Sequence, residues 1–177
     1  MASAFGHALT AIAIGSGFSK TIHNWKFVFI GIVCSILPDA DVISFKLGIA
    51  YEAFWGHRGF THSLLFSFAL AVIVMTLFYR EEKMFEKRWS LFLLYFFLAT
   101  ISHAVLDAMT NGGHGVAFFS PFSNERYFFL WRPIEVSPLG IGSFFSGRGL
   151  TVLKSEICWV GIPSLVITAV PFFLRRK

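Results

Sequence analysis

Seven ionisable side chains stand in or beside apolar runs, and their types are those of metal chemistry: His7, Asp39, Asp41, His57, His62, His103 and Asp107. An aspartate at the centre of a membrane helix costs about 2.5–3.5 kcal/mol on insertion scales, so such residues need a use. His103 and Asp107 are spaced i, i+4 and share one helix face. Asp39 and Asp41 are spaced i, i+2 and diverge on a regular helix. Pro38, just before them, predicts a local break that turns both carboxylates inward. His57-Arg58-Gly59-Phe60-Thr61-His62 reads as a loop entering a helix, with Thr61 or Ser63 available to cap it.

Imidazole mixed with carboxylate suits zinc, or manganese or iron, better than calcium or magnesium. Three His with one or two Asp fill a catalytic zinc site and leave a position for water. Seven candidates suffice for one ion, or for two bridged by an aspartate. Such a site lowers the pKa of bound water and clamps a transferring phosphoryl or acyl oxygen. Asp41 or Asp39 is available as ligand or general base. Arg58, between two candidate ligands, is placed to stabilise an anionic transition state. Asp41, Arg58 and His62 are therefore the residues expected to act in the chemistry. Each residue alone has a plainer reading: His7 as a packing residue, Asp39 as a helix terminator, His103 and Asp107 as a pair tying helices together. Together, those plainer readings require several unrelated costs at one end of a small bundle.

The elements that must position these residues are five apolar runs: about 4–18, 25–45 (interrupted at Pro38-Asp39-Ala40-Asp41), 61–79, 89–109 and 157–174. None alternates, and in hydrocarbon the backbone must satisfy itself, so the runs are predicted helices. The 177 residues are 55% hydrophobic, 18% aromatic and 14% charged, with a mean hydropathy of +0.67. Soluble domains carry about 25% charged residues. These values argue against a soluble enzyme, a disordered tail or a nucleic-acid-binding domain. The net charge of +5 is not a stripe with interleaved aromatics, so no nucleic-acid partner is expected. The expected fold is an all-α polytopic membrane bundle of about five spans in one domain over 1–177. The bilayer is the expected partner. The N-terminus lacks a signal-peptide pattern. Cys34 and Cys158 lie in apolar runs and read as packed thiols.

Lys20 and Lys26, then Arg80, Lys83, Lys87 and Arg88, then Arg175, Arg176 and Lys177 fall between or after the runs. Facing all three groups to the cytoplasm puts the N-terminus outside and the C-terminus inside. All seven candidates then gather at the outer end, although they took no part in setting the topology. The segment 111–155 is rich in Gly, Pro and aromatic residues and reads as a non-helical cap, either a lid or a simple interfacial anchor. Arg126, Arg132 and Arg148 on it are expected to meet an anionic headgroup. His114 sits in a Gly-rich turn and is a weaker candidate ligand. Glu156 is a late carboxylate with no assigned role, and His23 reads as interfacial.

Phe5-Gly6-His7-Ala8, Leu37-Pro38-Asp39-Ala40-Asp41, His57-Arg58-Gly59-Phe60-Thr61-His62-Ser63 and Ser102-His103 with Asp107 resemble the YdjM-type family. Phe118 to Pro138 and Ser155-Glu156 resemble its YbcI-like branch. The resemblance implies a bacterial inner-membrane, metal-dependent hydrolase over nearly the whole chain, and it weakens His114 as a ligand. The order His7, Asp39 or Asp41, His57 or His62, then His103 with Asp107 is also distantly similar to zinc-dependent phospholipase C and the S1/P1 nucleases. That similarity implies phosphoester hydrolysis with Asp107 bridging metal ions. The chain departs from those enzymes in lacking their N-terminal Trp ligand and a clear third-metal set.

The reading is thus a membrane metallohydrolase whose site faces the periplasm or outer leaflet. Its expected substrate is a phosphoester of a lipid or lipid-linked headgroup, since the site lies at membrane depth. A metal or ion transporter is a second reading. It is disfavoured because the inner halves of the last three runs hold almost no polar residue. A non-catalytic scaffold with a closed structural metal site is the third.

Overall fold

A computed structural model describes residues 1–18, 24–145 and 147–174, except the side chains of residues 141 and 171–174. Lys20, His23, Arg175, Arg176 and Lys177, used or weighed above, lie outside the described residues. Five main helical segments form the molecule. Helix α1 is Ala4–Ser16. Helix α2, Trp25–Ile36, runs through a 3-10 turn, Leu37–Val42, into α3, Ile43–Lys46. A 3-10 turn, Phe60–His62, leads into α4, Leu64–Phe78. Helix α5 is Lys87–Ala108. Short α6, Ile141–Phe144, precedes α7, Gly147–Glu156, which passes through a π-helical turn into α8, Ile162–Leu174.

Polar residues set the helix starts. Ser3 Oγ accepts from the Gly6 amide, Asn24 Oδ1 from the Phe27 amide and Ser63 Oγ from the Phe66 amide. These are side-chain caps for otherwise orphaned N–H groups. Of the two caps open at the α4 entry, Ser63 takes the role, and Thr61 turns to Asp41 instead.

Among the described residues, three helical segments are long and apolar enough to cross a membrane: Trp25–Lys46, Lys87–Ala108 and Gly147–Val170. The two other apolar runs form shorter helices, α1 of 13 and α4 of 15 residues. At 1.5 Å per residue these are about 20 and 22 Å long, against a hydrocarbon core of about 30 Å. The last span starts earlier than its apolar run. Residues 141–144 and 147–155, inside the segment read from sequence as non-helical, are helical. The bare Cα of Gly149 lets α7 lie against α6; an added Cβ there would meet the Phe144 carbonyl oxygen.

Helix α5 is the centre of the bundle and packs on α1, α2 and α4, while α8 packs on α1. Tyr95 of α5 explains the close approach of α1 and α2. Its ring fills the space over Gly15 and Gly31, stacks on Phe27 at 3.9 Å between centroids, and its hydroxyl donates to the Ala11 carbonyl. Around it Phe27, Met75, Tyr79, Phe92 and Phe96 form the apolar core at one end. The opposite end is polar. There the start of α1, the end of α2, the entry to α4 and the end of α5 converge.

Residues 109–140 cover that polar end. Among the described residues they form no strand, only two isolated bridges, Thr110 with Ile134 and Val116 with Tyr127. Main-chain bonds tie them to the bundle. The Ala117 amide donates to the Arg58 carbonyl, the Leu64 amide to Phe118, the Phe129 amide to Ala108 and the Ser137 amide to Met1. Both cysteines are free. Cys34 is buried, and Cys158 is exposed rather than packed, because Val160 and not Cys158 is the residue of the π-turn that faces the bundle.

Candidate metal centre

The break expected at Pro38 is present, and it orients both aspartates. Pro38 occupies the first turn of the 3-10 segment, where its missing N–H costs nothing. Asp39 and Asp41 are both buried. His103 and Asp107, one turn apart on α5, are fully buried on its inner face. His7 comes from α1, and His57 and His62 from the loop and turn before α4. All seven sequence candidates therefore gather in one place.

Four of them close into a compact group. Asp39, His62, His103 and Asp107 each offer an atom within 4.8 Å of the others. His62 Nε2 and His103 Nε2 are 3.0 Å apart. His103 Nε2 lies 3.3 Å from Asp39 Oδ1, and His62 Nε2 3.5 Å from Asp107 Oδ2. The remaining cross-distances are 3.9 and 4.0 Å. Ligands about 2.0–2.1 Å from a shared zinc stand about 3.3 Å apart at tetrahedral corners, so the spacing fits one ion.

The outer nitrogens of both rings are committed. His103 Nδ1 faces the Ser35 carbonyl at 2.7 Å, an acceptor only, so that nitrogen carries the proton. His62 Nδ1 meets Thr61 Oγ1 at 3.1 Å, whose own proton goes to Asp41 Oδ2, and it lies 3.2 Å from that same carboxylate oxygen. In the neutral rings a proton at each Nδ1 leaves both Nε2 atoms as lone pairs facing each other and two carboxylates. Carbonyl and carboxylate partners behind ligating histidines are the usual outer shell of a metal site. Orphaned polar atoms point the same way. Asp39 Oδ1, Asp107 Oδ2 and both nitrogens of His7 are buried with no hydrogen-bond partner, a rare condition for buried polar groups. The three aspartates and Arg58 sum to a formal charge of −2, which a divalent cation balances.

His7 stacks flat on His103, ring centroids 3.8 Å apart. Its Nε2 lies 3.7 Å from Asp107 Oδ1 and 3.9 Å from Asp39 Oδ2. Each carboxylate thus shows one oxygen to His7 and the other to the His62–His103 pair.

A second group joins Asp39 to Asp41 and His57. Asp39, not Asp107, is the carboxylate common to both groups. Asp107 belongs to the first group alone, with Oδ2 toward the His62–His103 pair and Arg58 and Oδ1 toward His7 and the Ala2 amide. Asp41 is heavily engaged. It meets His57 Nδ1 at 2.6 Å, and accepts from the Arg58 amide at 3.0 Å and from Thr61 Oγ1 at 2.6 Å, besides facing His62.

Arg58 is 1% exposed with a left-handed φ of 61°. Each of its three nitrogens has a protein partner. Nε lies 2.9 Å from Asp107 Oδ2, off the hydrogen-bond axis and so an ion pair rather than a directional bond. The other two donate to the Gly112 carbonyl and Thr110 Oγ1. These contacts hold the guanidinium against Asp107 and the start of the cap. Sequence reasoning missed the N-terminal residues, where the Ala2 amide donates to Asp107 Oδ1 at 2.7 Å. A main-chain donor leaves no residue-type signal.

The remaining candidates stand elsewhere. Arg126 donates to the His57 and Tyr51 carbonyls and lies over the Tyr51 ring. Arg132 is exposed and stacks on Phe128, and Arg148 is exposed on α7. His114 pairs with Glu52 at the surface, 2.9 Å apart, and is in neither group. That hydrogen bond holds the Glu52 carboxyl below its ordinary pKa. Burial pushes the Tyr51 hydroxyl up and the Arg126 guanidinium down. Glu156 is buried and accepts from the Ser3 amide and hydroxyl, docking α7 on the start of α1.

The family model described as YdjM inner membrane protein matches residues 1–177. The chain belongs to this family. Inner membrane protein YbcI of Escherichia coli (strain K12) is 36% identical over 176 residues, 99% of this chain and 100% of that protein. A YdjM-family chain with spanning helices is an inner membrane protein, and the centre described above is its most polar buried feature. No solved structure matches the chain. The distant likeness to phospholipase C and the nucleases therefore rests on residue order alone.

Proposed function

We propose that this chain is a membrane-bound, metal-dependent hydrolase of a phosphoester, that of a lipid or lipid-linked headgroup. The observation that carries the reading is the facing pair of His62 and His103 Nε2 atoms, 3.0 Å apart between two buried carboxylates. One or two divalent ions, zinc first and manganese or iron next, would be held by Asp39, His62, His103 and Asp107, with His7, Asp41 and His57 extending the set. A bound ion supplies a Lewis acid that polarises a phosphoryl oxygen and lowers the pKa of water.

The chain's own residues do the rest. Asp41 fixes the tautomer and tilt of His62, and the Ser35 carbonyl does so for His103. Arg58 neutralises Asp107 and, through Thr110 and Gly112, holds the cap over the centre. The cap and the ends of the helices exclude bulk water. The polar end faces the periplasm if the N-terminus is outside, as the basic residues suggest. Location at the membrane boundary supports a lipid-derived substrate.

A second reading, a closed structural metal site, is favoured by the burial of the same ligands; His7, His103 and Asp107 are 0% exposed. A turnover assay separates the two. Zinc-loaded protein in detergent is given phosphatidylglycerol, phosphatidylethanolamine and bis(4-nitrophenyl) phosphate. Release of phosphate monoester or headgroup that disappears in His62→Ala supports the hydrolase. Full metal occupancy with no release from any of the three supports the structural site.

A further inference from the structure

Helix lengths set how much hydrocarbon this chain can face. At the end away from the metal centre, α2, α4 and α5 share a level. Lys26 Nζ donates to the Phe78 carbonyl at 3.1 Å and lies over the Tyr79 ring. Arg88 Nε pairs with Glu82 in the next turn at 3.1 Å. From that level, helical rise puts Asp39 about 22 Å from Trp25, Ser63 about 22 Å from Phe78 and His103 about 21 Å from Trp89. On the last helix Trp159 lies about 22 Å from Leu174. The ligands of the centre thus stand at one height, about 8 Å short of a full hydrocarbon core.

Either hydrocarbon continues past the ligands and surrounds the cap, or the bilayer thins to their height. The cap decides between the two. It lies directly on the ligand level: the Ala117 amide donates to the Arg58 carbonyl, the Phe118 carbonyl accepts from the Leu64 amide, and Trp131 stands edge-on to Trp159 with centroids 4.7 Å apart. Residues 128–133 are in no helix or strand, and Leu130 is 107% and Trp131 57% exposed. Among the described residues no main-chain bond takes up the amides of Leu130, Trp131 and Arg132. Irregular backbone exposed in this way is not found facing hydrocarbon, where nothing replaces water as its partner. Glu52, His114 and Glu125 are exposed on the same layer, and charge there adds to the cost. Bulk water suits the layer no better, because Phe119, Phe122 and Phe129 are exposed as well. Open amides, aromatic rings and Arg132 together fit the headgroup zone, which is wet and takes amphipathic rings. Beyond Asp39, exposed Ile43, Phe45 and Leu47 around Lys46 form the same mixed edge.

The geometry points to a lipid-facing girdle only about 22 Å tall, around which the bilayer thins so that headgroups at the polar end descend to the height of Asp39 and His103. A span shorter than the local hydrocarbon is met by thinning of the bilayer, and tilting the bundle shortens the girdle further. The surface that meets those headgroups is the cap rim from Phe129 to Arg132. The thinning stands on the helix lengths and the cap alone. Its consequence for catalysis rests on the phosphoester reading above: a lipid phosphate reaches the height of the ligands without leaving the bilayer.

Two measurements on the full chain in phosphatidylcholine vesicles test this. In the first, lipid affinity is read from quenching of the protein's tryptophans by brominated phosphatidylcholine, with monounsaturated chains of 14 to 22 carbons. Scaling a core of about 30 Å at 18 carbons puts the girdle near 14 carbons. Affinity is expected to be strongest there and about five-fold weaker at 20 to 22 carbons. A maximum at 18 carbons or beyond, or no dependence on length, overturns the proposal. In the second, nitroxides are placed at Leu130→Cys and, as a control, Ile73→Cys, both exposed sites, with Cys158→Ser removing the exposed thiol. Depth in 18-carbon vesicles is read from relaxation by oxygen against a water-soluble nickel chelate. The Leu130 label should read the headgroup zone and the Ile73 label the hydrocarbon. A Leu130 label as deep as the control, or in bulk water, overturns the proposal. So does one shielded from both reagents, which would mean that a second chain covers the rim. Neither readout uses metal or turnover. Protein without hydrolase activity should still give the expected result, and active protein with an 18-carbon optimum sinks the thinning alone.

Discussion

Arg58→Met removes the buried cation that stands against Asp107. The guanidinium is 2.9 Å from a carboxylate that is itself 0% exposed. Breaking such a pair by deleting one partner costs about 3–5 kcal/mol, because the other charge stays buried. The formal charge of the centre moves from −2 to −3, and the bonds to Gly112 and Thr110 are lost as well. Backbone strain at φ 61° is the same for both residues, so the comparison isolates the side chain. For a chain of this size each kcal/mol lowers Tm by about 2–4 °C. The expected fall is therefore about 6–20 °C, read by circular dichroism in detergent after chelation, so that no ion masks the loss. Arg58→Lys keeps the charge but not the planar fork and should fall between. Adding Asp107→Asn to Arg58→Met removes the stranded charge and should recover part of the loss. A fall below about 4 °C, or a double variant worse than Arg58→Met alone, refutes the charge-compensation argument.

Asp41→Asn should keep the fold but lower metal affinity about 10–100-fold, since His62 loses the acceptor that fixes its tautomer; competition titration with a zinc chelator reads this. Gly31→Ala places a Cβ 2.0 Å from the Tyr95 hydroxyl. Overpacking of about 1–3 kcal/mol follows, seen as a Tm about 2–12 °C lower, with less loss in a Tyr95→Phe background. Glu156→Gln should lower Tm by weakening the charge-assisted bonds from Ser3 while leaving metal content at the wild-type value, because Glu156 lies outside both ligand groups.

The convergence of the seven ligand candidates was legible because ionisable residues are rare in apolar runs, and a helix spacing or a proline tells which way each one faces. His103 with Asp107 needs only the i, i+4 rule. Asp39 with Asp41 needs only Pro38. The roles inside the cluster were not legible. Asp41 and Arg58 look like reactive groups by type, and only the fold shows which groups hold them in place: His57 and Thr61 for Asp41, Thr110 and Gly112 for Arg58. The Ala2 amide and the Ser35 carbonyl act through main chain, which carries no residue-type signal. Helix α7 was hidden because it lies in the Gly-, Pro- and aromatic-rich segment 111–155, where Gly149 serves close packing on α6. The shortness of α1 and α4 was blurred by apolar residues that continue past the helix ends.

Metal content tests the central claim most directly. Wild-type protein purified in detergent and its variant His103→Ala plus Asp107→Ala are compared by elemental analysis, as isolated and after incubation with zinc, manganese or iron. One or two ions per wild-type chain, absent from the variant, is the predicted result. Wild-type protein that stays metal-free after incubation contradicts the account and leaves the cluster as a buried network of shared protons.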